Sequence, residues 1–272
     1  MADDLVLYKT DGLVGIITMN RPDKLNALSG NLVDALVDAF RRADDDQTTS
    51  VVILQAEGRS FCAGYDIGGT SSIDEASRHD PLRWHAHLTP QLAFEMMPWY
   101  MRKPVVASVQ GHAVGGGCEL AMYCDVTIAA EGAKFGEPEV RFSNTGPGIV
   151  MPWIIGYKRA RELLYFGDMI DAETALSYGM INKIVPPAEL REATLKYARR
   201  MTLVSPEALT ATKLSINRGA DIAGFRNAMQ AGLDVVAPLY AAKTEAGMTF
   251  KKIIKDEGLG AALKWRMSQF KE

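Results

Sequence analysis

Gly111-His112-Ala113-Val114-Gly115-Gly116-Gly117-Cys118-Glu119-Leu120-Ala121-Met122 follows at once on Val105 to Val109, a short apolar run that reads as a buried strand. Three consecutive glycines between a strand and a helix-compatible segment predict a tight turn into a helix start. Glycine lets the backbone turn sharply and approach a ligand closely, and the free N–H groups at a helix start offer donors to negative charge. Glu119 lies three residues after Gly116, so its carboxylate and the Gly116 N–H share one face within the first turn. A polarised carbonyl oxygen would then sit beside a base, and the helix dipole would favour the ionised form that a base needs. The same residues also suit a plain glycine turn with a capping glutamate, and this stretch alone does not choose. GxGxxG, a Gly-Lys-Ser/Thr loop and GxSxG are all absent, which removes dinucleotide, P-loop and serine-elbow readings.

Outward from this stretch, Leu5 to Tyr8 and Leu13 to Met19, joined at Asp11-Gly12, predict a hairpin. From Asn31 onward Leu32, Leu36, Val37 and Phe40 fall at helical spacing, with Arg41-Arg42 near the end where cations suit the dipole. Val51 to Gln55 and Val126 to Ala129 read as further compact strands. This recurrence of strand, loop and helix predicts a layered α/β domain. Thr70 to Pro90 is polar and aperiodic and is expected to be a mobile surface loop that controls access to a ligand. After Val185-Pro186-Pro187, the segments Ala188 to Met201, Pro206 to Ile216, Ile222 to Tyr240 and Thr244 to Ile254 all look helical. The expected organisation is a core domain at 1–199 and a helical region at 200–272. The amphipathic helices of that region are too few to cover both their faces, which points to self-association.

The chain has 272 residues, 47% of them apolar and 23% charged, the balance of an ordinary globular protein. Its net charge of -3 creates no field that would draw in nucleic acid or an anionic membrane. No apolar run approaches the roughly 18 to 20 residues needed to span a bilayer. Met1 to Thr10 lacks the character of a leader, so a cytoplasmic location is expected. Cys62, Cys118 and Cys124, odd in number and without CxxC spacing, are expected to be reduced and buried rather than nucleophilic.

Two further stretches carry chemistry. Arg59-Ser60-Phe61-Cys62-Ala63-Gly64-Tyr65-Asp66-Ile67 comes directly after the strand at Val51 to Gln55, and its Ala63-Gly64 pair lets the main chain present another N–H donor. Phe135-Gly136-Glu137-Pro138-Glu139-Val140 places an acid in a proline-containing loop. Together with Asn20-Arg21-Pro22 and Leu25-Asn26-Ala27-Leu28, these stretches resemble the crotonase (enoyl-CoA hydratase and isomerase) superfamily over most of the chain. The resemblance implies a spiral of ββα units with a helical C-terminal region that forms trimers, commonly paired into hexamers. It implies that the N–H groups of Tyr65 and Gly116 form an oxyanion hole and that Glu119 and Glu139 are the two acids of hydratase members. It also implies an acyl-CoA thioester as substrate, with coenzyme A entering as part of it and no metal or other cofactor.

Adding water to a conjugated thioester puts negative charge on the carbonyl oxygen, which two N–H donors stabilise, while water loses a proton and the α carbon gains one. Glu119 is expected to be the base on water and Glu139 the acid, with enoyl-CoA hydration as the leading activity. The alternative is another crotonase-type reaction, such as isomerisation, thioester hydrolysis or aromatic acyl-CoA hydration and cleavage. Lys24 and Arg59 are the first candidates for the CoA phosphates, and Lys264 is a further one. Leu25, Ala27, Ala63, Asp66 and Ile67 complete the expected CoA-contacting set. The chain departs from the hydratase pattern at Asn144 to Trp153 and at Tyr65, which is bulkier than the small residue common in hydratases.

Overall fold

The computed structural model describes residues 5–67, 73–74 and 76–270. β1 (Val6–Asp11) and β2 (Val14–Met19) form the expected antiparallel hairpin, and Ser29 caps α1 (Gly30–Asp45) by accepting a hydrogen bond from Leu32 N–H. β3 (Val51–Ala56) follows, then α2 (Pro81–Glu95), the short α3 (Met97–Tyr100), β4 (Val105–Val109), β5 (His112–Val114) and α4 (Gly116–Tyr123). β6 (Val126–Ala130) and β7 (Lys134–Gly136) lead through a 3-10 turn at Pro138–Phe142 to α5 (Met151–Ile155), α6 (Tyr157–Phe166), β8 (Ile170–Asp171), α7 (Ala172–Tyr178) and β9 (Lys183–Val185). α8 (Leu190–Met201), α9 (Pro206–Ile222), α10 (Phe225–Ala241), α11 (Glu245–Glu257) and α12 (Leu259–Ser268) complete the described chain. None of the described helices is long and apolar enough to cross a membrane.

Among the described residues the main sheet has the strand order β1-β2-β3-β4-β6-β9, parallel throughout except for the β1–β2 hairpin. A smaller sheet runs β5-β7-β8. The central strands are buried along their whole length, as expected where a parallel sheet is covered on both faces. Their side chains alternate cleanly. Ile17, Met19, Val52, Leu54, Ala56, Val105 and Ala107 join one core with Leu32, Leu36 and Phe40 of α1, whereas Val14, Ile16, Val51, Ile53 and Val106 meet Leu190 and Ala198 of α8 on the other face. Each such large apolar side chain contributes about 1.5–3 kcal/mol of transfer free energy.

The structure corrects the reading of Thr70 to Pro90 as a loop. Positions 70–72 and 75 lie outside the described residues, but α2 begins at Pro81 and runs through Pro90. Asp80 caps it by accepting a hydrogen bond from Leu82 N–H, and Pro81 stands in the first turn, where its missing N–H costs nothing. A proline in a helix interior removes one backbone hydrogen bond. Here the burial of Leu88, Leu92 and Phe94 and the packing of α2 along α10 outweigh that loss. The polar residues that hid the period lie on the open face.

α9 is pinned to the sheet by a buried cation. Lys213, 5% exposed, donates to the carbonyls of Pro98 (2.6 Å) and Lys103 (3.0 Å) and to Asp125 Oδ2 (2.7 Å), which also accepts the Val105 N–H (2.7 Å). Removing one partner of a buried pair leaves the other charge uncompensated. Lys213→Met is therefore expected to cost about 3–5 kcal/mol of stability, read from urea or guanidinium unfolding; a loss below about 1 kcal/mol would show that water satisfies Asp125 instead.

Candidate active site

Backbone hydrogen bonds sew the loop after β2 to the loop after β3. Asn26, fully buried at φ 54°, donates to the carbonyls of Glu57 and Ser60 (2.9 Å each) and accepts the Arg21 N–H (2.8 Å). The Ala63 N–H donates to Leu25 O (3.0 Å), Leu28 N–H to Gly64 O (2.8 Å) and Asp66 N–H to Leu28 O (3.1 Å), while Arg21 and Asp66 form an ion pair (2.8 Å). This stitching brings Lys24, Leu25, Ala27, Arg59, Ala63, Asp66 and Ile67 onto one pair of loops. Lys24, Arg59 and Ile67 are exposed, and Leu25, Ala27, Ala63 and Asp66 are half-buried. Lys264 is elsewhere, on an exposed position of α12, a helix that packs on the turn carrying Glu139.

The same loop meets the glycine stretch. Cys62 N–H donates to His112 O and Val114 N–H to Cys62 O, both at 2.9 Å. Gly64 has φ 83°, and a side chain there would come within 2.8 Å of the Val114 carbonyl. Gly115 has φ 53°, and a side chain there would collide with Glu139 Oε1. Both positions need glycine for conformation and for space. The Tyr65 ring lies directly over Gly116: a Cβ at Gly116 would stand 2.6 Å from Tyr65 Cε2. The Leu28–Tyr65 bridge uses the N–H groups of Leu28 and Asp66 and skips that of Tyr65, and Gly116 opens α4, where the N–H has no intrahelical acceptor. The two N–H groups expected to face a carbonyl oxygen thus come from neighbouring segments.

Four carboxyl groups gather around this point. Glu119 sits in the first turn of α4 and is 1% exposed, Glu137 follows β7 at 2%, and Glu95 ends α2 at 0%. Glu139 is partly open as a residue, yet its Oε2 is sealed from water. Oxygens of all four lack a hydrogen-bond partner among the described residues: Glu95 Oε2, Glu119 Oε1, both oxygens of Glu137 and Glu139 Oε2. Burial, reinforced by the neighbouring acids, pushes Glu119 and Glu137 well above the ordinary carboxyl range. Burial pushes Glu139 up to about 7 and Glu95 up to about 8. The helix dipole was expected to keep Glu119 ionised; desolvation and the like charges outweigh it. The four cannot all ionise readily, and they titrate as a group.

The sequence reading found Glu119 and Glu139 and missed Glu95, Glu137 and Tyr240. Glu95 was legible as a lone acid in the apolar run Leu92-Ala93-Phe94-Glu95-Met96-Met97, three residues after buried Leu92 on the helix. Glu137 was quoted beside Glu139 but given no role. Tyr240 of α10 packs at a tilt against Trp84 (5.0 Å between ring centroids), and its phenol is shifted upward first by burial and then by Glu139, Glu119 and Glu95. Asn144 to Trp153 wraps over Glu119, since a side chain at Gly146 would collide with Glu119 Oε1. Of the aromatics that could line a pocket, Phe94 packs with Phe40 and Trp99 stacks on Phe225, both as core. Cys62, Cys118 and Cys124 are free and buried, and burial holds the Cys62 thiol up at about 12.

A family model described as enoyl-CoA hydratase/isomerase matches residues 9–251. Among characterised relatives, the chain is 33% identical to a crotonyl-CoA hydratase of Syntrophomonas wolfei, with 99% of each chain covered. It is 34% identical to a probable enoyl-CoA hydratase of Rhizobium meliloti, over 82% of this chain and 84% of the relative. Among solved structures, an enoyl-CoA hydratase/isomerase from Xanthobacter autotrophicus superposes with a TM-score of 0.93 at 32% identity, covering 98% of this chain and 99% of the other.

The raised carboxyls make stability depend on pH with a definite sign. A group whose pKa rises on folding stabilises the native state fully below its unfolded value, and that contribution is lost as pH climbs through the folded value. For Glu139 and Glu95 the window runs from 4.5 up to about 7 and about 8, respectively. The ligand-free protein should melt at progressively lower temperature across that window, and Glu95→Gln, which cannot ionise, should flatten the fall. A melting temperature constant across the window would mean that the four acids are solvated in solution.

Proposed function

This chain belongs to the enoyl-CoA hydratase/isomerase family, and from that premise we propose that it adds water across the α,β double bond of an enoyl-CoA thioester. One observation carries the reading: the start of α4 supplies both the Gly116 N–H and Glu119, while Glu139 Oε1 fills the space that a side chain at Gly115 would occupy. Two acids and an N–H donor therefore converge on one point.

The thioester carbonyl lies between the N–H groups of Tyr65 and Gly116. As the water oxygen bonds to the β carbon, the π electrons move toward that carbonyl, and the two donors stabilise the enolate-like charge; each is worth about 10² to 10³ in rate. One carboxylate of the Glu119–Glu139 pair takes the proton from water, and the carboxylic acid of the other gives one to the α carbon. Glu119 is assigned as base and Glu139 as acid. Because both are pushed upward by burial, the working state is the pair holding one proton. Coenzyme A enters as part of the substrate, its phosphates met by exposed Lys24 and Arg59. Lys264 is a candidate only if the tail reaches the phosphate region. The helices from residue 200 onward serve self-association as trimers or paired trimers, and the enzyme works in the cytoplasm.

Incubation with crotonyl-CoA should yield a product heavier by one water; free CoA or a cleaved acyl chain would move the assignment to a hydrolase or lyase. Glu119→Gln and Glu139→Gln keep the side-chain shape, so thioester binding should hold within about tenfold while hydration falls by about 10² to 10⁴ each. If the acids act on one water, the double variant should be scarcely slower than the poorer single one. An active Glu119→Gln enzyme would remove the assigned base. Sedimentation at micromolar concentration should show trimers or hexamers, and a fully active monomer would overturn the assembly.

A further inference from the structure

Glu95 is not required by the hydration chemistry, yet it stands against the same wall. Its Oε1 accepts a hydrogen bond from Tyr65 Oη at 2.7 Å and lies 3.2 Å from where a Cβ on Gly116 would be. Its Oε2 is sealed from water and has no partner among the described residues. The charges of Glu119, Glu139 and Tyr240 couple to it, which puts it in the same enclosed space as the reacting pair.

Everything local disfavours an acid at this position. It is fully buried, it closes the C-terminal turn of α2, where the helix dipole repels negative charge, and it faces three other carboxyls. Phe94 and Met96 on either side are ordinary core. Nor does the oxyanion site need the Tyr65 phenol, since only the backbone N–H of that residue would face the thioester. An acid and a phenol kept against these costs, with Oε1 held by Tyr65 beside Gly116 and Oε2 left over, make a receptor for a polar group.

Resting on the reading of this site as an acyl-CoA hydratase, we propose that Glu95, held by Tyr65, is a specificity residue whose Oε2 receives a hydroxyl group on the acyl chain of the substrate. The pairing works in either protonation state: a carboxylate accepts the hydroxyl proton, and a carboxylic acid donates to the hydroxyl oxygen. A thioester with a plain alkyl chain would leave Oε2 unpaired, and sites built around a buried polar group discriminate strongly against ligands that lack its partner.

Binding of butanoyl-, pentanoyl- and hexanoyl-CoA, each with and without a terminal hydroxyl, tests this by calorimetry. These saturated thioesters cannot be hydrated, so the result is independent of turnover. The wild-type protein should bind the hydroxylated member of at least one pair about tenfold more tightly or better. Glu95→Met, similar in volume and apolar, should abolish or invert that preference, and Glu95→Gln should retain part of it. Equal affinities within every pair for the wild-type protein overturn the proposal without recourse to any variant, as does a preference that survives in Glu95→Met. Absence of crotonyl-CoA hydration alongside a Glu95-dependent hydroxyl preference would instead sink the hydration reading and leave the receptor in place.

Discussion

Four carboxyl groups in one enclosed space are the constraint on which the rest of this structure turns. Like charges in a low-dielectric setting resist joint ionisation, and burial raises the pKa of all four. That enclosure is built from tight backbone contacts. Glycine at 64, 115, 116 and 146 lets the two loops, the start of α4 and the stretch after the Pro138–Phe142 turn close to within van der Waals distance of one another. Any side chain at these points would displace a carboxyl, a ring or a main chain.

The same enclosure divides labour among the acids. Glu119 and Glu139 are placed by elements that also place the backbone donors, so a shift of α4 moves acid and donor together. Glu95 is placed by α2, which belongs to a different layer and packs on α10. The supports nevertheless touch: α2 also packs on α4, and Glu95 Oε1 holds the Tyr65 phenol beside Gly116, so a change along α2 would be felt at the donors as well. Preorganisation of this kind is what an electrostatic catalyst requires, because donors that must rearrange during reaction lose most of their value.

Much of this was legible in the sequence, for identifiable reasons. Strands such as Val105–Val109 and helices such as α1 carry their period openly, and the glycine stretch announces a helix start by its backbone demands. α2 was not legible because its polar face masks the period and Pro90 argues against a helix; only the partner surface on α10 decides the matter, and no local signal encodes that. Glu95 and Glu137 were missed for a related reason. An acid in an apolar run is ordinarily a solvated interruption, and its burial depends on segments distant in sequence, as Tyr65 is from Glu95. The pull of the helix dipole on Glu119 was legible because it is local, whereas the burial and the like charges of the other acids that oppose it are not.

The helical region from residue 200 onward is more than an appendage to this site. Tyr240 of α10 lies within electrostatic reach of Glu95, Glu119 and Glu139 and packs at a tilt against Trp84, so α10 forms part of the wall around the acids. α11 and α12 rest on the Pro138–Phe142 turn that carries Glu139. Arg266 donates to the Arg141 carbonyl of that turn, and Arg141 in turn pairs with Asp168 and lies under the Phe270 ring. The helices proposed for self-association are thus the same helices that pack over the carboxyl cluster. A rearrangement of α10 to α12 on self-association would change how much water reaches the acids, and with it their protonation. Self-association through these helices, as proposed, would couple the assembly surface to the acid–base chemistry through burial.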